Sequence, residues 1–261
     1  MKSIATGVAV ALMAMAFVTQ AKEGGDQYQN GVENWMAGAL PPAGDYLISY
    51  TGYWQGALRD QNGDKADLGG GAQAKLNATF EAMRWIHVTD HTFLGGSYGW
   101  HVIVPVARVS IDHPAFGGRA SHTSLGDVTL GPVVLGWNHG NWHHGAALDI
   151  NVPTGHYDES DPRRSVGAHY TSFEPVFATT YLDDAGWEAS AKFMYNIKTR
   201  NHATDYRSGD EFHVDWLLGR NVGRWGIGLA GYYLKQVTDD RQDGQVVAAA
   251  DGLWSEGRRG Q

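Results

Sequence analysis

Residues 126–155, GDVTLGPVVLGWNHGNWHHGAALDINVPTG, constrain the fold more than any other stretch of the chain. Two runs flank a polar turn at 138–141, and each is about ten residues long, the length a tilted strand needs to cross a bilayer. In the second run Ala146, Leu148, Ile150 and Val152 share one face, while Gly145, Ala147, Asp149 and Asn151 share the other. Period two with one apolar face and one small or polar face marks a strand. In the first run Val128, Leu130 and Val134 stand opposite Asp127, Thr129 and Gly131. Trp137 and Trp142 bracket the turn, and indole rings suit a membrane–water boundary, where one edge is apolar and the other wet. Pro153, Thr154 and Gly155 close the far end before a long polar loop. A short aromatic-flanked turn at one end and a long loop at the other describe a transmembrane β-hairpin. Taken alone, the stretch also fits a hairpin of a water-soluble β-sandwich.

The rest of the chain repeats the pattern and separates the two readings. Strands are expected at 45–54, 74–86, 93–106, 169–181, 187–197, 211–218 and 225–236 besides the pair just described. At 74–86, Leu76, Ala78, Phe80 and Ala82 share a face taken as lipid-facing, with Lys75, Asn77, Thr79 and Glu81 opposite. At 93–106, Leu94, Tyr98, Trp100, Val102 and Val104 point outward and Ser97, Gly99 and His101 inward. At 187–197, Trp187, Ala189, Ala191, Phe193 and Tyr195 oppose Glu188, Ser190, Lys192 and Asn196. Short turns are expected at 90–91, 138–141, 183–186 and 220–224, and long loops at 59–71, 110–124, 156–167 and 199–209. A soluble sandwich has no reason to alternate long and short loops, whereas outer-membrane barrels pair short periplasmic turns with long external loops. Trp85, Trp137, Trp142, Trp187, Trp216 and Trp225 fall near the short-turn ends as one girdle, and Tyr53, Trp54, Tyr170 and Tyr195 toward the other. The expected fold is therefore all-β, an antiparallel up-and-down transmembrane β-barrel with about nine strands present. Pro105, Pro132 and Pro175 each delete a ladder hydrogen bond, so bulges are needed to absorb them.

Export fits this reading. Residues 1–21 combine Lys2, an apolar run from Ile4 to Val18 and small residues at Thr19 and Ala21, as a cleaved secretory signal does. The run is too short to span as a helix, so a membrane-spanning form must be a barrel. Residues 22–44, with Pro41 and Pro42, are expected to be irregular, either periplasmic or tucked into a lumen as a plug. Strands occupy 45–240, and 241–261 is expected to be an irregular tail, with an external loop before missing strands as one form of it. The chain has no cysteine, which removes disulfides, zinc–thiolate sites and thiol catalysis. With a net charge of −8, nothing suggests nucleic acid as a partner.

Side chains expected to line a lumen are Lys75, Glu81, His101, Asp127, Asp149, Glu174, Glu188, Lys192, Glu211, His213 and Asp215. Paired carboxylates beside a histidine and serines raise the alternative of an outer-membrane hydrolase. No serine sits in a G-x-S-x-G motif, and lumen polarity explains the set more simply. His139, His143 and His144 read as interfacial turn residues rather than metal ligands. Asp158, Asp161, Asp183, Asp184, Asp239 and Asp240 lack EF-hand spacing and read as solvated loop residues. No catalytic residue, cofactor or metal is expected.

One set of stretches carries a family resemblance. MAGALPPAGDY at 36–46, Gly126-Asp127-Val128, Leu135-Gly136-Trp137 and VPTGHYD at 152–158 belong to it. So do Phe173-Glu174-Pro175 and YRSGDEF at 206–212. Together they resemble the meta-pathway phenol-degradation outer-membrane proteins, over residues 31–240. The resemblance implies a bacterial outer-membrane channel for passive uptake of small hydrophobic or aromatic compounds, with membrane lipid and that solute as its partners. It also implies a complete barrel of about twelve strands, an even count. The expectation is then a C-terminally truncated barrel, with a frameshift near Val246 as the second explanation; a structural outer-membrane protein is the remaining alternative to a channel.

Overall fold

The computed structural model describes residues 27–57, 65, 72–114 and 117–246. The expected signal at 1–21 and the tail from 247 onward lie outside the described residues. Strands in chain order are β1 (Gly44–Ala57), β2 (Lys75–Phe93), β3 (Gly96–His113), β4 (Gly118–Leu125), β5 (Val128–His139), β6 (Trp142–Val152) and β7 (Ser172–Leu182). They continue with β8 (Trp187–Lys198), β9 (Tyr206–Arg207), β10 (Glu211–Val222), β11 (Trp225–Gln236), β12 (Arg241–Gln242) and β13 (Gln245–Val246). β1-β2-β3-β5-β6-β7-β8-β10-β11 form one antiparallel wall of sequential neighbours that curls into a half-barrel. Its end strands β1 and β11 do not pair with each other.

The apolar face is outside. Along β8 the exposed and buried classes alternate: Trp187, Ala189, Phe193 and Ile197 are exposed, whereas Glu188, Ser190, Lys192, Asn196 and Lys198 are buried. Phe173 and Phe177 on β7 are likewise exposed, with Ser172 at 0 % and Glu174 at 2 % beneath them. A water-soluble protein buries the opposite set, so this wall is built for a hydrocarbon surround and a polar interior.

Each proline sits at a break in the pairing on at least one side of its strand. Pro105 lies where β3 exchanges partners, from β5 up to Ile103 to β4 from Val106, and its carbonyl accepts from the Gly126 nitrogen at 2.9 Å. Pro132 lies in the irregularity between Leu130 and Val133, which turns Val134 inward opposite Ala147. Pro175 falls between the pairs Phe173↔Ile197 and Val176↔Met194, with the register kept on both sides. The missing donors therefore cost few ladder bonds.

Four local expectations are corrected. The turn placed at 90–91 is at Leu94 and Gly95, both at positive φ, while Asp90 and His91 belong to an irregularity inside β2. Residues 110–124 are not a plain loop: β3 runs on and folds back into β4, so with β1 and β2 a four-stranded flap rises beyond the end of β5. This makes β2 19 residues long against 11 for β6. Trp216 sits mid-strand over Gly231, and Tyr170 is buried, so neither belongs to a girdle. Finally, β12 and β13 form a hairpin that adds to β9, giving 241–246 regular structure.

Candidate functional site

The concave face of the wall is filled by residues 27–43, which run across it without joining a strand. Backbone donors that no sheet supplies with acceptors must find side chains. Gly31 N donates to Asp215 Oδ1 at 2.8 Å, Met36 N to Glu188 Oε1 at 2.6 Å and Gly38 N to Thr180 Oγ1 at 3.0 Å. A Cβ on residue 38 would lie 2.6 Å from the His143 carbonyl oxygen and 2.7 Å from the Thr180 nitrogen, so only glycine lets the plug lie this close. Leu40 packs over Gly136 and Trp35 over Gly219, small wall positions that make room for them.

Glu33 is the centre of the plug's contacts. Its carboxylate accepts from Arg84 on β2, from Tyr50 OH on β1 at 2.7 Å and from Lys192 Nζ on β8 at 2.5 Å. One side chain thus ties opposite sides of the half-barrel together. Burial alone would raise its pKa, but the Arg84 and Lys192 charges outweigh that and hold the carboxyl well below the usual range. Tyr28 lies beside it, with Lys192 Nζ 4.3 Å from its ring centroid and its hydroxyl donating to Asp215 at 2.6 Å. Burial, then the charges of Glu33 and Asp215, push the Tyr28 hydroxyl well up.

Arg84 also donates from Nε to His101 Nδ1 at 2.8 Å, and His101 Nε2 lies 2.8 Å from Asp149 Oδ1. Guanidinium cannot accept, so Nδ1 is the acceptor and the ring proton sits on Nε2, facing Asp149. A second histidine, His213, lies between Asn30 Oδ1 at 3.0 Å and Glu174 Oε2 at 3.2 Å. Lys198 and Glu211 pair at 2.7 Å. Asp127 staples the loop after β6, accepting from the nitrogens of Gly155 and Ala168 at 2.9 and 2.8 Å and from Gln27 at 3.1 Å.

His101, Asp127, Asp149, Glu174, Glu188, Lys192, Glu211, His213 and Asp215 are therefore gathered on the concave side. Lys75 and Glu81 are not. They point away from it, where Glu81 accepts from Ser49 and Thr51. The even positions of β2, expected to face lipid, turn inward, and Phe80 and Ala82 line the interior. Glu33, Tyr28, Tyr50 and Arg84 were not singled out in the sequence. Arg84 carried the missing signal: it shares a face with Phe80 and Ala82, and a charge there argues against lipid.

A cavity of about 140 Å³ opens between the plug and the wall. Phe80, Ile103, Pro105 and Val166 give it an apolar side, and Asp149, Asn151 and Glu174 a polar one. Among the described residues, no group of three or more His, Cys, Asp or Glu is disposed to hold a metal ion. His143 and His144 instead bond Asn138 and Thr179.

A family model described as "Putative MetA-pathway of phenol degradation" matches residues 55–259. Among solved structures, an outer membrane channel from Pseudomonas putida F1 aligns over 84 % of this chain and 80 % of its own, with a TM-score of 0.65 at 18 % identity. That likeness is one of fold. No curated relative matches the chain.

Proposed function

The chain belongs to the MetA-pathway phenol-degradation family, and from that premise we propose that it is a bacterial outer-membrane channel for passive uptake of small hydrophobic or aromatic compounds that feed a degradation pathway. The observation that carries this is the inverted wall, with exposed Phe173, Phe177 and Phe193 outside and buried Glu174, Glu188 and Lys192 inside. Such a wall is at home in lipid around a polar passage. The fold it shares with the Pseudomonas channel supports the same reading.

The hydrolase alternative rests on inward carboxylates beside a histidine, which the structure pairs as Glu174–His213 and Asp149–His101. Asp–His dyads do general-base work when the second ring nitrogen is free to take a proton from a nucleophile. In this chain His101 Nδ1 already accepts from Arg84 and His213 Nδ1 lies against Asn30 Oδ1, and that geometry favours structural pairs.

The test is influx of radiolabelled phenol into vesicles with a lipopolysaccharide outer leaflet, with and without the protein. Phenol should enter faster through protein-bearing vesicles; equal rates would sink the channel reading. Fractionation should place the protein in the outer membrane.

A further inference from the structure

The cavity beside the plug has two chemically distinct halves. In a lumen otherwise dressed with charges, β2 and β3 present Phe80, Ala82, Ile103, Pro105 and Ala107 inward. Opposite them stand Asp149 and Glu174, 8 % and 2 % exposed. Among the described residues, every side-chain hydrogen bond to these carboxylates falls on one oxygen: Oδ1 of Asp149, from His101, and Oε2 of Glu174, from Asn196 and His213. Oδ2 and Oε1 remain as acceptors on the two carboxylates that line the cavity.

Size narrows the occupant. The cavity measures about 140 Å³, and an apolar cavity of about 150 Å³ takes up one benzene. One six-membered ring therefore fits within it. Charge narrows it further. A neutral hydroxyl or an ammonium can donate to a buried carboxylate in a short, strong hydrogen bond, whereas a ligand carboxylate would bring a third negative charge into the same space.

We infer that this cavity is a binding site for a single-ring aromatic with a hydrogen-bond-donating head, a phenol or an aromatic amine, and that it rejects benzoates. The ring lies against Phe80, Ile103 and Pro105, and the head donates to Asp149 or Glu174. The inference rests on the uptake reading above and adds the ligand's head group and where it sits. Asp149 is joined through His101 and Arg84 to Glu33, so an occupied site touches the same hydrogen-bond chain that holds the plug.

The experiment is binding of phenol and of benzoate to the full chain in nanodiscs, followed by saturation-transfer NMR titration. Saturable phenol binding is expected, with benzoate weaker by about tenfold or more, the worth of one charge-assisted hydrogen bond. Ile103→Trp, which fills the apolar half, should abolish phenol binding; Ala82→Leu serves the same purpose if the larger change blocks assembly. Asp149→Asn should shrink the phenol–benzoate difference. Benzoate binding as tightly as phenol, phenol binding unaltered by either filling variant, or no saturable binding to a folded protein would each overturn the site. Vesicle influx separates the two readings: influx without saturable binding removes the site and leaves the channel, and binding without influx does the reverse.

Discussion

Removing the Glu33 carboxylate leaves Arg84 and Lys192 buried without their shared counter-charge. Breaking a buried pair by deleting one partner costs about 3–5 kcal/mol, mostly from the charge left behind. Glu33→Ala should therefore unseat the plug rather than merely loosen a contact. Single-channel recording should show higher conductance for the variant; unchanged conductance would mean that Gly31, Met36 and Gly38 hold the segment without it. The pH dependence has a definite sign. Glu33 lies outside the strands, and its folded-state pKa is depressed. Its stabilisation is complete well above the unfolded value of about 4.3 and is lost progressively as pH falls from there through the lower folded value, while Glu33 in the seated plug stays ionised until the latter. Conductance of the wild type should thus be the same at pH 7 and pH 4, and opening in step with ordinary glutamate titration would contradict the pairing of Glu33 with Arg84 and Lys192.

At the scale of the strand, alternation decides which substitutions lipid resists. Leu148 pairs with Pro175 and shares the outer face of β6 with Ala146 and Ile150, while Asn151 is inside, bonded to Thr129 and Ser172 at 2.5 and 2.9 Å. Leu148→Arg should cost about 2–4 kcal/mol near mid-bilayer and block assembly. Asn151→Ala leaves Thr129 and Ser172 short of a partner, about 1–3 kcal/mol, so the protein should assemble with a lower melting temperature. Equal effects on heat-modifiable migration would reverse the facing of β6. The same alternation made β6, β7, β8 and β10 legible in the sequence, because each carries an apolar outer face and a polar or charged inner one. It misled at β2. That strand rises into the flap, where Lys75, Asn77, Thr79 and Glu81 face outward and Phe80 and Ala82 line the interior beside residues 27–29 and Val166. Period two survives there, but the rule that the apolar face is the outer one does not. The plug contacts of Glu33 were illegible for a different reason: an irregular segment has no period to show which side chain points where, and the partners Tyr50, Arg84 and Lys192 come from strands far apart in sequence.

Strand parity sets the limit on what the wall can do as a whole. Nine sequential antiparallel strands put β1 and β11 in the same direction. They cannot close on each other in an antiparallel ladder, and single-chain bacterial barrels close with even counts. An antiparallel barrel containing this wall needs an odd number of further strands between β11 and β1. β11 carries the marks of an unpaired edge: Trp225, Ile227 and Leu229 are 76 %, 70 % and 73 % exposed. An uncovered edge of this kind is untenable in hydrocarbon, where every backbone donor needs a partner. The chain has no cysteine, so introduced thiols report strand neighbours without background. Ser49→Cys with Met83→Cys joins true partners across β1 and β2, within the 4.4–6.8 Å Cα spacing a disulfide accepts, and should cross-link rapidly within one chain. Ser49→Cys with Leu229→Cys spans the seam between β1 and β11, with both side chains on the outer face, and should give no intrachain bond under the same oxidation. Rapid intrachain cross-linking of the second pair would mean that β1 and β11 meet directly, and the strand order β1-β2-β3-β5-β6-β7-β8-β10-β11 would then have to close into a ring rather than end at two edges.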